Sequence, residues 1–260
     1  MNDLIDIGIN LTHRSYGVDR GAVIARAREA GVRRMGITGT SVASTRAAVD
    51  LARTHPGVMF ATAGIHPHEA STASPEALQE LGELARAPEV KSMGECGLDF
   101  DRDFSPRPAQ EAAFEAQLEM AVANRLPVFL HERAAHVRFL AILAKVRHRL
   151  SRAVLHCFTG TAAELDAYLA LDLHIGITGW ICDERRGKGL RGLMARIPAD
   201  RLMIETDGPY LTPPAAKAPG RRNEPAFLTF VLEEVARSTG RPATQVAAET
   251  TRTAELFFGL

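Results

Sequence analysis

The chain has 260 residues, and its 31 basic and 31 acidic side chains balance to a formal charge of zero, so net charge alone predicts no polyanion partner. An apolar fraction of 46% beside 24% charged residues, in a chain long enough to bury a sizeable core, excludes a disordered or fibrous protein. No apolar run reaches the ~18 residues that span a bilayer, the opening Met1-Asn2-Asp3-Leu4-Ile5-Asp6 puts acids where a signal peptide needs bases, and three scattered cysteines lack C-x-x-C spacing; the expectation is a soluble, cytoplasmic chain.

Short β-branched runs alternate with longer stretches of helical period, the pattern of βα units on a parallel sheet. Strands are predicted at Leu4–Gly8, Arg33–Thr38, Val58–Gly64, Val90–Glu95, Pro127–His131, Ala153–Cys157, His174–Thr178 and Leu202–Thr206. Helical segments lie between them, among others Val18–Ala30, Pro108–Arg125, Ala135–Leu150 and Ala162–Leu171. A Pro-rich loop, Gly208–Pro225, follows the last strand, and two helices, Pro225–Thr239 and Pro242–Phe257, end the chain. Eight strands with eight crossovers in ~250 residues is the arithmetic of a (β/α)8 TIM barrel, here one domain over 1–260, with an open doubly wound sheet as the alternative.

Reactive groups of such a barrel stand at the C-terminal ends of its strands. There the sequence puts Gly64-Ile65-His66-Pro67-His68, Glu95, His131, His156 and Glu205-Thr206-Asp207. Any one of these could cap a loop or a helix; a set drawn from separate strands converges on a common centre. Glu95, His131, His156 and Asp207 offer two imidazoles and two carboxylates, a donor set that suits a divalent ion. His66 is read as a functional residue of the site, His68 as either a site residue or a shaper of its turn, and Glu205 as support behind Asp207. Cys96 and Cys157 read as small buried hydrophobes.

The motifs Gly-Ile-His-Pro-His (64–68), Gly-Glu-Cys-Gly-Leu-Asp (94–99), His-Cys-Phe-Thr-Gly (156–160) and Glu-Thr-Asp-Gly-Pro-Tyr (205–210) resemble those of the TatD family of metal-dependent hydrolases, amidohydrolase-like barrels, over nearly the whole chain. The resemblance implies a divalent-metal-dependent deoxyribonuclease, degrading DNA or RNA from the 3′ end, with Glu95, His131, His156 and Asp207 as metal ligands and His66 near the scissile phosphate. Most of the family opens with Asp-x-His-x-His; this chain has Asp6, Gly8 and Asn10, so one ion, or a second held weakly, is expected in place of a full binuclear centre.

The expected reaction is 3′–5′ exonucleolytic hydrolysis of single-stranded DNA, with RNA as a further substrate, by a metal-activated water whose proton Asp207 accepts. Mg2+ or Mn2+ is favoured, with Zn2+ also compatible with the donors. Two segments of local positive charge, 183–196 and 217–224, supply Arg185, Arg186, Arg221 and Arg222 as phosphate contacts beside His66 and His68, and Trp180 and Tyr210 are candidates for stacking on bases. The partners expected are 3′ ends of single strands, with no membrane and a monomeric chain; DNA repair or nucleic-acid turnover is the process the resemblance suggests. A metal-dependent hydrolase of a carbonyl bond, such as an aminoacyl-tRNA deacylase, and a nucleic-acid-binding scaffold of weakened chemistry are the alternatives.

Overall fold

The computed structural model describes residues 3–260. Its strands are β1 (Leu4–Ile9), β2 (Val32–Ile37), β3 (Met59–Ala63), β4 (Val90–Asp99), β5 (Val128–Arg133), β6 (Ala153–Leu155), β7 (His174–Ile177) and β8 (Leu202–Ile204). They join one eight-stranded sheet whose order follows the chain. Helices α1 (Arg20–Glu29), α2 (Val42–Thr54), α3 (Pro75–Leu84), α4 (Arg107–Asn124), α5 (His136–Val146), α6 (Ala162–Ala170) and α7 (Lys188–Leu193) intervene, and α8 (Leu228–Thr239) and α9 (Ala243–Phe258) close the chain. Among the described residues no helix is long and apolar enough to cross a membrane.

The chain divides into two compact units, each assembled from separate segments. The first comprises Met1–Ile37, Cys157–Leu169 and His174–Leu260. In it β1 pairs with β2 and β7 with β8, all parallel. Every residue of β1 is buried, as expected of a parallel strand covered on both faces. The amides of Asp207 and Asn10 donate to the carbonyls of Gly8 and Gly208 (both 2.9 Å), tying the end of β8 to the end of β1. Helix α9 packs on both strands through a face that buries Val246, Ala254 and Phe257, and it stops at Gly259 in the left-handed conformation.

The second unit comprises Thr38–His156 and Ala170–Leu173. Here β3, β4, β5 and β6 pair in succession, again parallel. Ser41 and Ser44 form a capping box that starts α2, while Ser74 caps α3 with Pro75 in its first turn. Helix α4 lies against β4 and buries Phe114, which stacks on Phe139 of α5 at 5.2 Å. Two glycines let β4 run alongside β5. A Cβ at Gly94 would sit 2.0 Å from the Phe129 carbonyl oxygen, and one at Gly97 1.8 Å from that of His131; both take positive φ (126° and 149°).

The predicted elements are present, with shifted ends. Strand β4 continues four residues past Glu95 to Asp99, whereas β6 and β8 stop at Leu155 and Ile204. Cys157 and Asp207 take left-handed φ of 48° and 52°, which turns the backbone out of the ladder. The segment predicted as a basic loop at 183–196 contains α7.

Candidate metal centre

In the second unit three imidazoles converge on one carboxylate oxygen. Oε1 of Glu95 lies 2.9 Å from His131 Nδ1, 3.3 Å from His66 Nε2 and 3.4 Å from His156 Nε2. Glu95 and His156 are buried, and His66 nearly so. Burial pushes the Glu95 carboxyl upward, but the charges of His156 and His66 and the bonds from His131 and His66 outweigh it and hold it well below the usual carboxylate range. Burial likewise works against a charged His131, and Asp99 and Glu95 overcome it and raise its pKa.

The hydrogen bonds set the proton on His66. The amide of His68 donates to His66 Nδ1 (3.1 Å), so the neutral ring carries its hydrogen on Nε2, aimed at Glu95 and at His131 Nδ1 (3.3 Å). Burial draws the His66 pKa down to about 4, which keeps the ring neutral near pH 7. His66 is therefore a hydrogen-bond donor in this cluster and not an ion's ligand through Nε2.

His131 shows the opposite need. Its Nε2 is buried and has no hydrogen-bond partner; the nearest carboxylate oxygen, Asp99 Oδ2, is 3.6 Å away. With hydrogen on Nδ1, the Nε2 lone pair faces Asp99; with hydrogen on Nε2, the Nδ1 lone pair faces Glu95. A divalent ion held by His131 and Glu95 would take the place of one ring proton and leave the other for Asp99, the histidine–carboxylate pairing common behind metal ligands. The donor set thus fits a divalent ion.

Two buried glutamines of α4, seven residues apart and so on one helix face, hold the backbone beneath these side chains. Gln117 accepts from the Ile65 amide (2.7 Å) and donates to its carbonyl (3.0 Å), next to His66. Gln110 does the same for Asp99 (2.8 and 3.1 Å) and donates to the Ser105 carbonyl (2.9 Å). Asp99 itself accepts from His68 (2.7 Å) and from the amides of Asp101 and Arg102. Burial raises its pKa, but His131, His68 and the Arg102 amide prevail and hold it far below the usual range.

In the first unit, Asp207 Oδ1 receives a hydrogen bond from Asn10 Nδ2 (3.2 Å). Behind it Asp6, fully buried, accepts from the Thr206 amide (2.9 Å), the Thr206 hydroxyl and the Gly8 amide (3.3 Å). Burial pushes the Asp6 carboxyl up to about 7 against these bonds. Glu205, also fully buried, accepts from the Cys157 amide (2.7 Å) and so fixes the chain directly after His156.

Residues 5–259 match the family described as TatD related DNase. The chain belongs to the TatD family. It is 52% identical to the 3′-5′ ssDNA/RNA exonuclease TatD of Erwinia tasmaniensis over 259 residues, covering 99% of this chain and all of that one, and 50% identical over the same length to the enzyme of the same description from Edwardsiella piscicida. Among solved structures it superposes on the TatD homolog YJJV of Escherichia coli with a TM-score of 0.92, at 26% identity and covering 99% and 98% of the two chains. The fold is accordingly the (β/α)8 barrel of TatD hydrolases.

Of the residues expected in a TatD site, Glu95, His131, His156 and His66 come together in one unit, and His68 joins them through Asp99. Asp207 and Glu205 lie in the other unit with the contacts given above. At the place of the second histidine of the usual TatD opening, Asn10 binds the Asp207 carboxylate. The arginines divide. Arg222 is committed to Asp19 (2.7 Å to each oxygen) and the Ser15 carbonyl, a use the sequence did not reveal, and it lowers Asp19 to about 2. Arg186 pairs with Asp183 (2.9 Å) and covers the Trp180 ring at 4.4 Å. Arg185 and Arg221 are exposed, and their guanidiniums make no ion pair among the described residues. Cys157, expected to be buried, is half-exposed beside the Thr178 hydroxyl.

Sequence reasoning missed Asp99, Asn10, Gln110 and Gln117. A signal existed for the glutamines, whose spacing puts them on the face of α4 that also carries Phe114 and Leu118.

Proposed function

We propose that this TatD-family chain is a divalent-metal-dependent 3′–5′ exonuclease of single-stranded DNA and RNA, acting as one barrel domain over 1–260. What carries the reading is the convergence of His131, His156 and His66 on Glu95 Oε1, with the far nitrogen of His131 buried and unpartnered beside Asp99, in a chain half identical to enzymes bearing that description.

Glu95, His131, His156 and Asp207 would hold the ion, with Mg2+ or Mn2+ preferred to Zn2+. When bound, a divalent ion stabilises charge developing on the attacked phosphate and acidifies a water. Asp207 accepts the proton of the attacking water, kept in position by the Asn10 amide. His66 donates Nε2–H to a non-bridging phosphate oxygen; with its Nδ1 occupied by the His68 amide it has one proton to offer in hydrogen bonding. Arg185 and Arg221 contact phosphates along the strand, whereas Arg186 and Arg222, which the sequence suggested for the same task, are already paired with Asp183 and Asp19. Glu205 supports the chain after His156. The three free cysteines fit a cytoplasmic location, and DNA repair or nucleic-acid turnover is the process this chemistry suits.

The test is directional. Metal-loaded protein acting on a single-stranded oligonucleotide labelled at the 5′ end should give a ladder shortening one nucleotide at a time. Immediate release of a short labelled fragment with the remainder intact would refute 3′–5′ polarity.

A further inference from the structure

An exposed aromatic ring presents a broad π face, and one carried on a pinned backbone beside a site presents it in a fixed place. Phe104, 69% exposed, stands on the turn between β4 and α4. That turn is pinned on both sides of it. Asp99 Oδ1 accepts from the amides of Asp101 (3.0 Å) and Arg102 (2.9 Å). Ser105, which is buried, donates to the His68 carbonyl (2.9 Å), accepts from the Ser71 amide (3.1 Å) and gives its carbonyl to Gln110 (2.9 Å).

The ring meets His68 edge to face, with centroids 4.7 Å apart. His68 lies against His66 at 4.3 Å, and His66 against His131 at 4.4 Å, so a run of aromatic rings leads from solvent to the metal-binding imidazoles. The bond from His68 to Asp99 (2.7 Å) fixes the plane against which Phe104 rests.

We propose that Phe104, backed by His68, is the stacking platform for a base within the last two nucleotides of the strand, and that it sets preference at the 3′ end. The proposal rests on the exonuclease reading above. A base offers a π face whatever its identity, so such a platform binds all four, and purines, with the larger face, better than pyrimidines. Trp180 is a poorer candidate because Arg186 already occupies its face.

The test pairs a change in the protein with a change in the substrate. Single strands of one length, ending in a purine, in a pyrimidine, or with the base deleted at the terminal or penultimate nucleotide, are given to the metal-loaded protein and to its Phe104→Ala and Phe104→Trp variants. For the unaltered protein, deleting the base at one of the two positions should lower kcat/KM by roughly tenfold. In Phe104→Ala that ratio should fall to near one, and the purine preference with it; Phe104→Trp should restore both. The proposal is overturned if Phe104→Ala discriminates between base-bearing and abasic strands as the unaltered protein does, or if it slows all strands alike, which marks a packing role against His68. It is equally overturned if the variant changes only self-association in sedimentation. Absence of nucleotide release by the unaltered protein would instead remove the exonuclease reading beneath it.

Discussion

Replacing Gln117 by leucine tests how the barrel positions His66. Leucine has similar volume but neither donor nor acceptor, and the site is fully buried. The change strips the Ile65 amide and carbonyl of their Gln117 partners, at 2.7 and 3.0 Å, in an interior that water does not reach. A buried polar group left unsatisfied costs about 1–3 kcal/mol. The glutamine's third bond, to the Ala113 carbonyl of its own helix, adds little, and the leucine recovers some apolar burial. A net loss of about 2–4 kcal/mol follows, or a fall in Tm of roughly 5–12 °C for a chain of this size. Urea unfolding followed by far-UV circular dichroism gives the number, and activity should fall alongside it because His66 follows the released residue. A midpoint within experimental error of the unaltered protein would refute the clamp.

Asp6 carries a pH signature. Its folded pKa, about 7, lies above the unfolded value near 4, so folding favours the protonated form; its contribution is fully present below about pH 4 and is lost as pH rises toward 7. Asp6→Asn should flatten the decline in stability between pH 4 and 7 measured by urea titration, and an unaltered slope would contradict the assignment. Asn10→Ala removes the amide that holds Asp207, and such supporting partners are typically worth 10- to 100-fold in metal affinity. Calorimetric titration with Mn2+ should show a Kd weakened by about tenfold or more; an unchanged Kd would leave Asn10 without this role.

The strands were legible because parallel strands covered on both faces are written as short continuous apolar runs, as in Val128-Phe129-Leu130 and Ala153-Val154-Leu155. Their ends were less so. Gly94 and Gly97 look like terminators, yet they permit β4 to lie close to β5 as far as Asp99, while the left-handed turns at Cys157 and Asp207 shorten β6 and β8. The ligand candidates could be found because strand ends order them. Asp99, although it closes the 94–99 motif, was given no role, since it fell four residues beyond the expected end of its strand. Arg222 looked free because its partner, Asp19, is 203 residues away in the chain.

The most direct measurement of the central claim uses metal-stripped protein and a 3′-labelled single-stranded oligonucleotide, with Mg2+ or Mn2+ added back, beside Glu95→Ala. Glu95 gathers the three imidazoles, so the account predicts mononucleotide release that appears with the metal and is lost in the variant by at least about 100-fold, the scale of a first ligand exceeding that of its supporting partners. Release without metal, or metal-dependent release that survives in Glu95→Ala, would contradict it.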